Sequence, residues 1–151
     1  MTILDDHPTS ISGKLDALVR DVLIDQGLPD RTEVTVHIVD ITVMIERNSD
    51  AFGRTEPTDV LSFPVEQLSP GSIPRISDDG PPLMLGDVFI APEIVFERAI
   101  RNGFDGESEM ALMAVHGVLH LIGYDHADDD TAEVMEAIES RILERHGWDR
   151  R

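Results

Sequence analysis

The sequence predicts an α+β domain, and three observations carry that prediction. Runs with strand character come early, stretches with helical spacing concentrate in the second half, and no internal repeat divides the 151 residues. A chain of this length with 41% apolar residues can bury one core, so residues 1–151 are read as a single domain.

The elements follow in order. Ile11, Leu15, Leu18, Val19, Val22 and Leu23 recur at helical spacing, and Gly27-Leu28-Pro29 stops the run. Thr32 to Asp40 alternates and is rich in β-branched residues, which predicts a strand, with His37 as an ordinary strand side chain. Ile41 to Asn48 reads as a short helix, Asp50 to Pro57 as a loop around Gly53, and Val60 to Val65 as a second strand. Glu66 to Leu83 holds Pro70, Pro74, Pro81, Pro82, Gly71 and Gly80, and predicts a long mobile loop. Leu85 to Ala91 reads as a third strand. Pro92 fits the first turn of a helix running to about Asn102. A further helix begins at Glu107 or Ser108 and ends near Ile122. Asp130-Thr131 is the predicted cap of a last helix, with Val134, Met135, Ile138, Ile142 and Leu143 on its inner face. The run Asp128-Asp129-Asp130 then reads as its solvated first turn, favoured by the helix dipole.

Composition narrows the function classes. There are no cysteines, which excludes disulfides and thiolate metal sites. Met1 to Pro8 has neither the basic start nor the apolar stretch of a signal peptide, and no run approaches the ~20 apolar residues of a membrane span. A soluble cytoplasmic protein is the expectation. The net charge is -18, from 30 acidic against 12 basic residues, and Lys14 is the only lysine. Such a chain is poorly suited to broad, non-specific binding of nucleic acid. A local basic or metal-centred site remains compatible with it.

The most specific signal is His116-Gly117-Val118-Leu119-His120-Leu121-Ile122-Gly123-Tyr124-Asp125-His126, spaced H-x3-H-x5-H. An i,i+4 pair lies on one helical face, about 6 Å apart along the axis, so two imidazoles can share one metal ion. Gly123 can end the helix with a positive φ, and the turn can return His126 to the same ion. Three neutral imidazoles and a water describe an open, catalytic zinc site, although imidazole also suits copper, iron and nickel. Histidines beside apolar residues are usually packing residues, but three at this spacing with a glycine stop between them point to a metal. The frame resembles the metzincin pattern H-E-x-x-H-x-x-G-x-x-H, with Gly117 where that pattern has its glutamate base.

Taken with Pro57-Thr58-Asp59-Val60-Leu61-Ser62-Phe63-Pro64, Leu85-Gly86-Asp87-Val88 and the acidic last helix with Met135, this motif resembles the YbeY family of bacterial endoribonucleases that mature ribosomal RNA. The resemblance covers roughly residues 32–146. It implies a metzincin-like fold: a small mixed sheet of about four strands, surrounding helices, and a zinc site on a central helix and the following turn. It implies one zinc ion held by His116, His120 and His126, and partners in ribosomal RNA and the small ribosomal subunit, with ribosomal proteins or an assembly GTPase as protein partners. Family members usually carry a phosphate-binding arginine before Pro-Thr-Asp. Here the ungapped position is Phe52, with Arg54 two residues later and Arg47 somewhat earlier. A local shift gives the phosphate role to Arg54, since a guanidinium suits bidentate phosphate recognition; the plain alternative is a solvated loop charge.

The expected chemistry is hydrolysis of a phosphodiester in single-stranded RNA by zinc-bound water, with Arg54 stabilising the developing charge. Asp125 is read as a partner that orients an imidazole. The family pattern also brings Asp59 and Asp87 near the site; alone, each reads as a strand-end turn residue. Tyr124 is expected as a packed turn aromatic, Met135 as core, and Ser62 lacks the G-x-S-x-G setting of a nucleophile. Two rival classes stand beside the nuclease. One is a ribosome-assembly factor whose metal is structural and whose acidity suits basic ribosomal proteins. The other is a metallopeptidase, which Gly117 opposes.

Overall fold

A computed structural model describes residues 2–5 and 11–148, so part of the stretch Met1 to Pro8 lies outside the described residues. Strand β1 (Thr2–Asp5) is followed by a 3-10 turn (Ser12–Lys14), α1 (Leu15–Asp25), β2 (Thr32–Ile38), α2 (Ile41–Phe52), β3 (Val60–Pro64), β4 (Leu83–Ile90), α3 (Pro92–Asn102), α4 (Gly106–Ile122) and α5 (Asp129–Arg145). The α+β class holds. The sheet order is β1-β2-β4-β3, with β1, β2 and β4 parallel and β3 antiparallel on the edge beside β4.

Several boundaries differ from the sequence reading for local reasons. The first strand was not predicted: Thr2–Asp5 is too short to show a periodicity and becomes a strand by pairing with β2. Asp40 is not strand but the N-cap of α2, its carboxylate accepting from the Val43 amide at 3.0 Å. That helix continues past Asn48 to Phe52 and stops where Gly53 takes φ +66°, so Asp50 to Phe52 are helical rather than loop. Asp105 caps α4 through the Ser108 amide, which starts that helix slightly earlier than expected. Asp128, not Asp130, caps α5, in a reciprocal box with Thr131. Val134 was expected inward and is exposed, whereas Met135, Ile138, Ile142 and Leu143 are buried.

The long segment between β3 and β4 is pinned rather than free. Arg31 donates to the carbonyls of Ser77 and Gly80, and Leu68, Ile73 and Ile76 pack on the core.

The main core lies between one face of the sheet and helices α1, α4 and α5. Helix α4 is buried on nearly every side, from Met110 to Ile122, and packs on α1, α3, α5, β3 and β4. A smaller cluster of Val39, Met44, Leu61, Phe89 and Ala91 occupies the opposite sheet face. A register shift in the β2–β4 pairing, where Glu33 faces Met84 but Val34 faces Gly86, helps set which β4 residues face each way. Gly86 sits there at φ +142°, and a Cβ on it would stand 2.3 Å from the Phe63 carbonyl.

Candidate metal centre

Helix α4 presents His116 and His120 one turn apart, and Gly123 ends the helix at φ +108°. No side chain fits at residue 123, because a Cβ would lie 2.3 Å from the Leu68 carbonyl of the pinned segment. The turn then carries His126 back. One potential ligand atom from each of His116, His120 and His126 lies within 4.8 Å of the others, so these three residues could hold a metal ion.

The ring orientations fit that task. His116 Nδ1 is 2.9 Å from Glu139 Oε2, and His120 Nδ1 is 2.9 Å from the Tyr124 carbonyl. A carbonyl only accepts, so His120 carries its proton on Nδ1 and turns the Nε2 lone pair outward. Glu139 fixes His116 in the same sense, and the two Nε2 atoms converge to 2.9 Å. Lone pairs aimed at one point are the donor set of a cation site. The His120 pKa is lowered, first by burial and then by charge on His116, which favours the neutral, ligating form.

Glu139 was missed in the sequence. It is only 1% exposed although it is a carboxylate, and it lies on the same inner face of α5 as Met135, Ile138 and Ile142. That placement was the available signal: a carboxylate in an apolar stripe needs a buried partner. The role expected of Asp125 belongs to it. Asp125 instead accepts from the backbone amide of His126 at 2.6 Å and shapes the turn.

Gly117 has a packing explanation. A Cβ there would fall 2.6 Å from Val88 Cγ1, 3.3 Å from Val60 Cγ2 and 3.4 Å from Ser62 Oγ. The Ser62 hydroxyl donates to the Gly117 carbonyl at 2.8 Å, which ties α4 to β3 and occupies that hydroxyl. Residue 117 faces the sheet, and a glutamate has no room.

The histidines open onto a cleft of about 600 Å³ that is also lined by Phe52, Arg54, Thr58, Asp59, Ser62 and Pro64. Arg54 makes no ion pair among the described residues, and its guanidinium carbon lies 5.7 Å from the Phe52 ring centre. Arg47 lies elsewhere, over Phe89, in a second pocket. Asp59 lines the cleft, but its carboxylate is held by Arg98 and the Val60 amide. Asp87 is not near the histidine cluster as the pattern suggested: it points to the other sheet face and pairs with His37 at 2.8 Å. His37 is accordingly more than a strand side chain, since its ring also stacks on Phe89. Tyr124 is a packed turn aromatic whose hydroxyl donates to Gln26, and Met135 is core.

Comparison with known proteins identifies the family. A model of the family described as endoribonuclease YbeY matches residues 4–147. The chain belongs to the YbeY endoribonuclease family. Endoribonuclease YbeY of Nocardia farcinica is 38% identical over 130 residues, 86% of this chain and 70% of the relative. The proteins of the same description from Mycobacterium bovis and Mycobacterium leprae are 37% and 35% identical, each over 87% of this chain and 73% of the relative. The solution structure of TM1509 from Thermotoga maritima superposes with a TM-score of 0.63 at 22% identity, over 97% of this chain and 91% of that one. That likeness establishes the fold. Among the described residues, no helix is long and apolar enough to cross a membrane.

Proposed function

We propose that the protein is a zinc-dependent, single-strand endoribonuclease acting in small-subunit rRNA 3′-end maturation and ribosome quality control in the cytoplasm. The observation that carries this reading is convergence. Three imidazoles with potential ligand atoms within 4.8 Å of one another share one cleft with an arginine that makes no ion pair among the described residues, in a chain of an endoribonuclease family. The metzincin-like reading of the fold belongs to the same proposal.

His116, His120 and His126 would hold the metal, and Glu139 and the Tyr124 carbonyl hold the first two rings in the ligating tautomer. When bound, zinc supplies Lewis-acid chemistry at neutral pH, activating water and polarising a phosphoryl oxygen. Arg54 binds the phosphate and stabilises charge that develops on it. Arg98 and the Val60 amide engage the Asp59 carboxylate, which makes Asp59 a structural part rather than a base. Ribosomal RNA on the small subunit is the substrate in this reading, and ribosomal proteins or an assembly GTPase are the partners.

The test is cleavage of a single-stranded rRNA 3′-end fragment by zinc-loaded protein, beside a chelated sample and His120→Ala. Cleavage should fall at least a hundredfold in both controls. Full cleavage in either one sinks the metal-dependent mechanism. The net charge of -18 favours a second reading, an assembly factor that contacts basic ribosomal proteins and uses its metal for structure. Under that reading, ribosome association persists in His120→Ala while no fragment is cut. The packing at Gly117 weighs against a peptidase.

A further inference from the structure

Phe52 is 51% exposed, an unusual placement for a large aromatic, and it lines the same cleft as the three histidines. It is also rigidly backed. Its ring stacks on Phe63 at 5.9 Å and 17°, Phe63 meets Phe89 edge-on at 5.5 Å, and Phe89 stacks on His37 at 4.1 Å. A buttressed ring loses little freedom when a ligand covers it. The Arg54 guanidinium lies over the ring, 5.7 Å from its centre, and is the group a stacking base would displace.

Charge sharpens the point. With 30 acidic residues against 12 basic ones, this chain gains little from phosphate neutralisation along a strand. Several arginines are committed to carboxylates: Arg98 to Asp59, and Arg141 and Arg145 to Asp21 and Asp25. Affinity for a nucleic acid must then come from a source that needs no net positive surface. Stacking on an aromatic face is such a source, and it requires an unpaired base.

We propose that Phe52, backed by Phe63, is a base-stacking platform that seats one unpaired nucleobase of the RNA beside the metal cleft, with the adjoining phosphate on Arg54. The proposal rests on the ribonuclease reading and deepens it. Phe52 becomes a residue that determines specificity: it selects single-stranded substrate and sets which nucleotide neighbours the scissile bond. Duplex RNA keeps its bases stacked within the helix and cannot use the platform.

The experiment measures binding of short, labelled single-stranded RNA oligomers to the full chain in chelator, so that the RNA stays intact. A single abasic residue is walked along the oligomer. Zinc-dependent cleavage is followed in parallel. Phe52→Ala should bind the intact oligomer about tenfold more weakly, within the range of one base stack. In cleavage its loss should appear in KM rather than kcat. Phe52→Trp should restore binding to within about twofold. One abasic position should weaken the parent protein by the same factor and leave Phe52→Ala unaffected. Phe52 ends α2 and is half-exposed, so unchanged thermal melting of both variants is the folding check. If the parent binds and cuts RNA but Phe52→Ala binds as well, or loses affinity equally for every abasic oligomer, the platform is overturned and the ribonuclease reading stands. If the parent neither binds nor cuts RNA, the ribonuclease reading fails and the platform with it.

Discussion

The two faces of the sheet each carry an imidazole–carboxylate pair, and the pairs have nearly the same length. His116 and Glu139 are 2.9 Å apart on the helical face, and His37 and Asp87 are 2.8 Å apart on the other. Their surroundings differ. The Glu139 side chain is 2% exposed and two further imidazoles converge on His116, whereas the Asp87 side chain is 42% exposed and the flat face of His37 is taken by Phe89. A histidine–carboxylate distance therefore says little about metal binding. What defines a site is how many lone pairs meet at one point and how firmly a buried partner holds them there.

The largest effect that tests this contrast is metal content. His120→Ala should lose stoichiometric zinc by elemental analysis, while His37→Ala should retain it. Equal retention in both would remove the convergence criterion. Next in size is the carboxylate. Glu139→Gln keeps the shape but drops the charge that supports His116, and should weaken zinc affinity about tenfold in a competition titration. Asp87→Asn should leave that affinity unchanged.

A third prediction concerns the contact between α4 and the sheet. Gly117→Ala improves helix propensity by about 1 kcal/mol but drives a methyl into Val88, so denaturant unfolding should show a net loss of up to about 2 kcal/mol. A gain in stability would show that α4 moves away from β3 and β4 more easily than the Ser62 hydrogen bond suggests.

The smallest effect is at the surface, where α1 meets α5. The Arg141 hydrogen bond holds the Asp25 carboxyl at about 2, below its ordinary 3.8. A depressed carboxyl stabilises the fold fully above its unfolded value, and the contribution disappears as pH falls from about 4 toward 2. With Arg141 half-exposed, solvent screening reduces it to about 1 kcal/mol. Thermal melts between pH 5 and pH 2 should therefore fall less steeply for Arg141→Gln than for the parent.

Much of this was legible in the chain. The helix-spaced histidines, the glycine stop and the β-branched runs announced the histidine-bearing helix and three strands, because each rests on local periodicity. Helix α3 lay where Pro92 indicated. What escaped depends on contacts distant in sequence. β1 exists only through its pairing with β2, and Asp87 joins His37 across 50 residues. The role given to Asp125 followed from adjacency along the chain, whereas Glu139 reaches His116 from 23 residues away because α5 folds back on α4. Phe52 looked like a loop residue until α2 proved to run on to it and Phe63 to lie behind it.

The close approach of α4 to the sheet at Gly117 carries a consequence for how the reaction could diversify. The residue that separates this histidine frame from a peptidase is one codon away, yet the volume it would need is filled by Val88, Val60 and Ser62. Installing an acid there requires the helix to lift and three strand residues to shrink together. Drift at position 117 alone would produce proteins that fold poorly before it produced a new hydrolase. The framework thus acts as a ratchet on reactivity, held by the spacing between a helix and two strands and not by the ligands themselves.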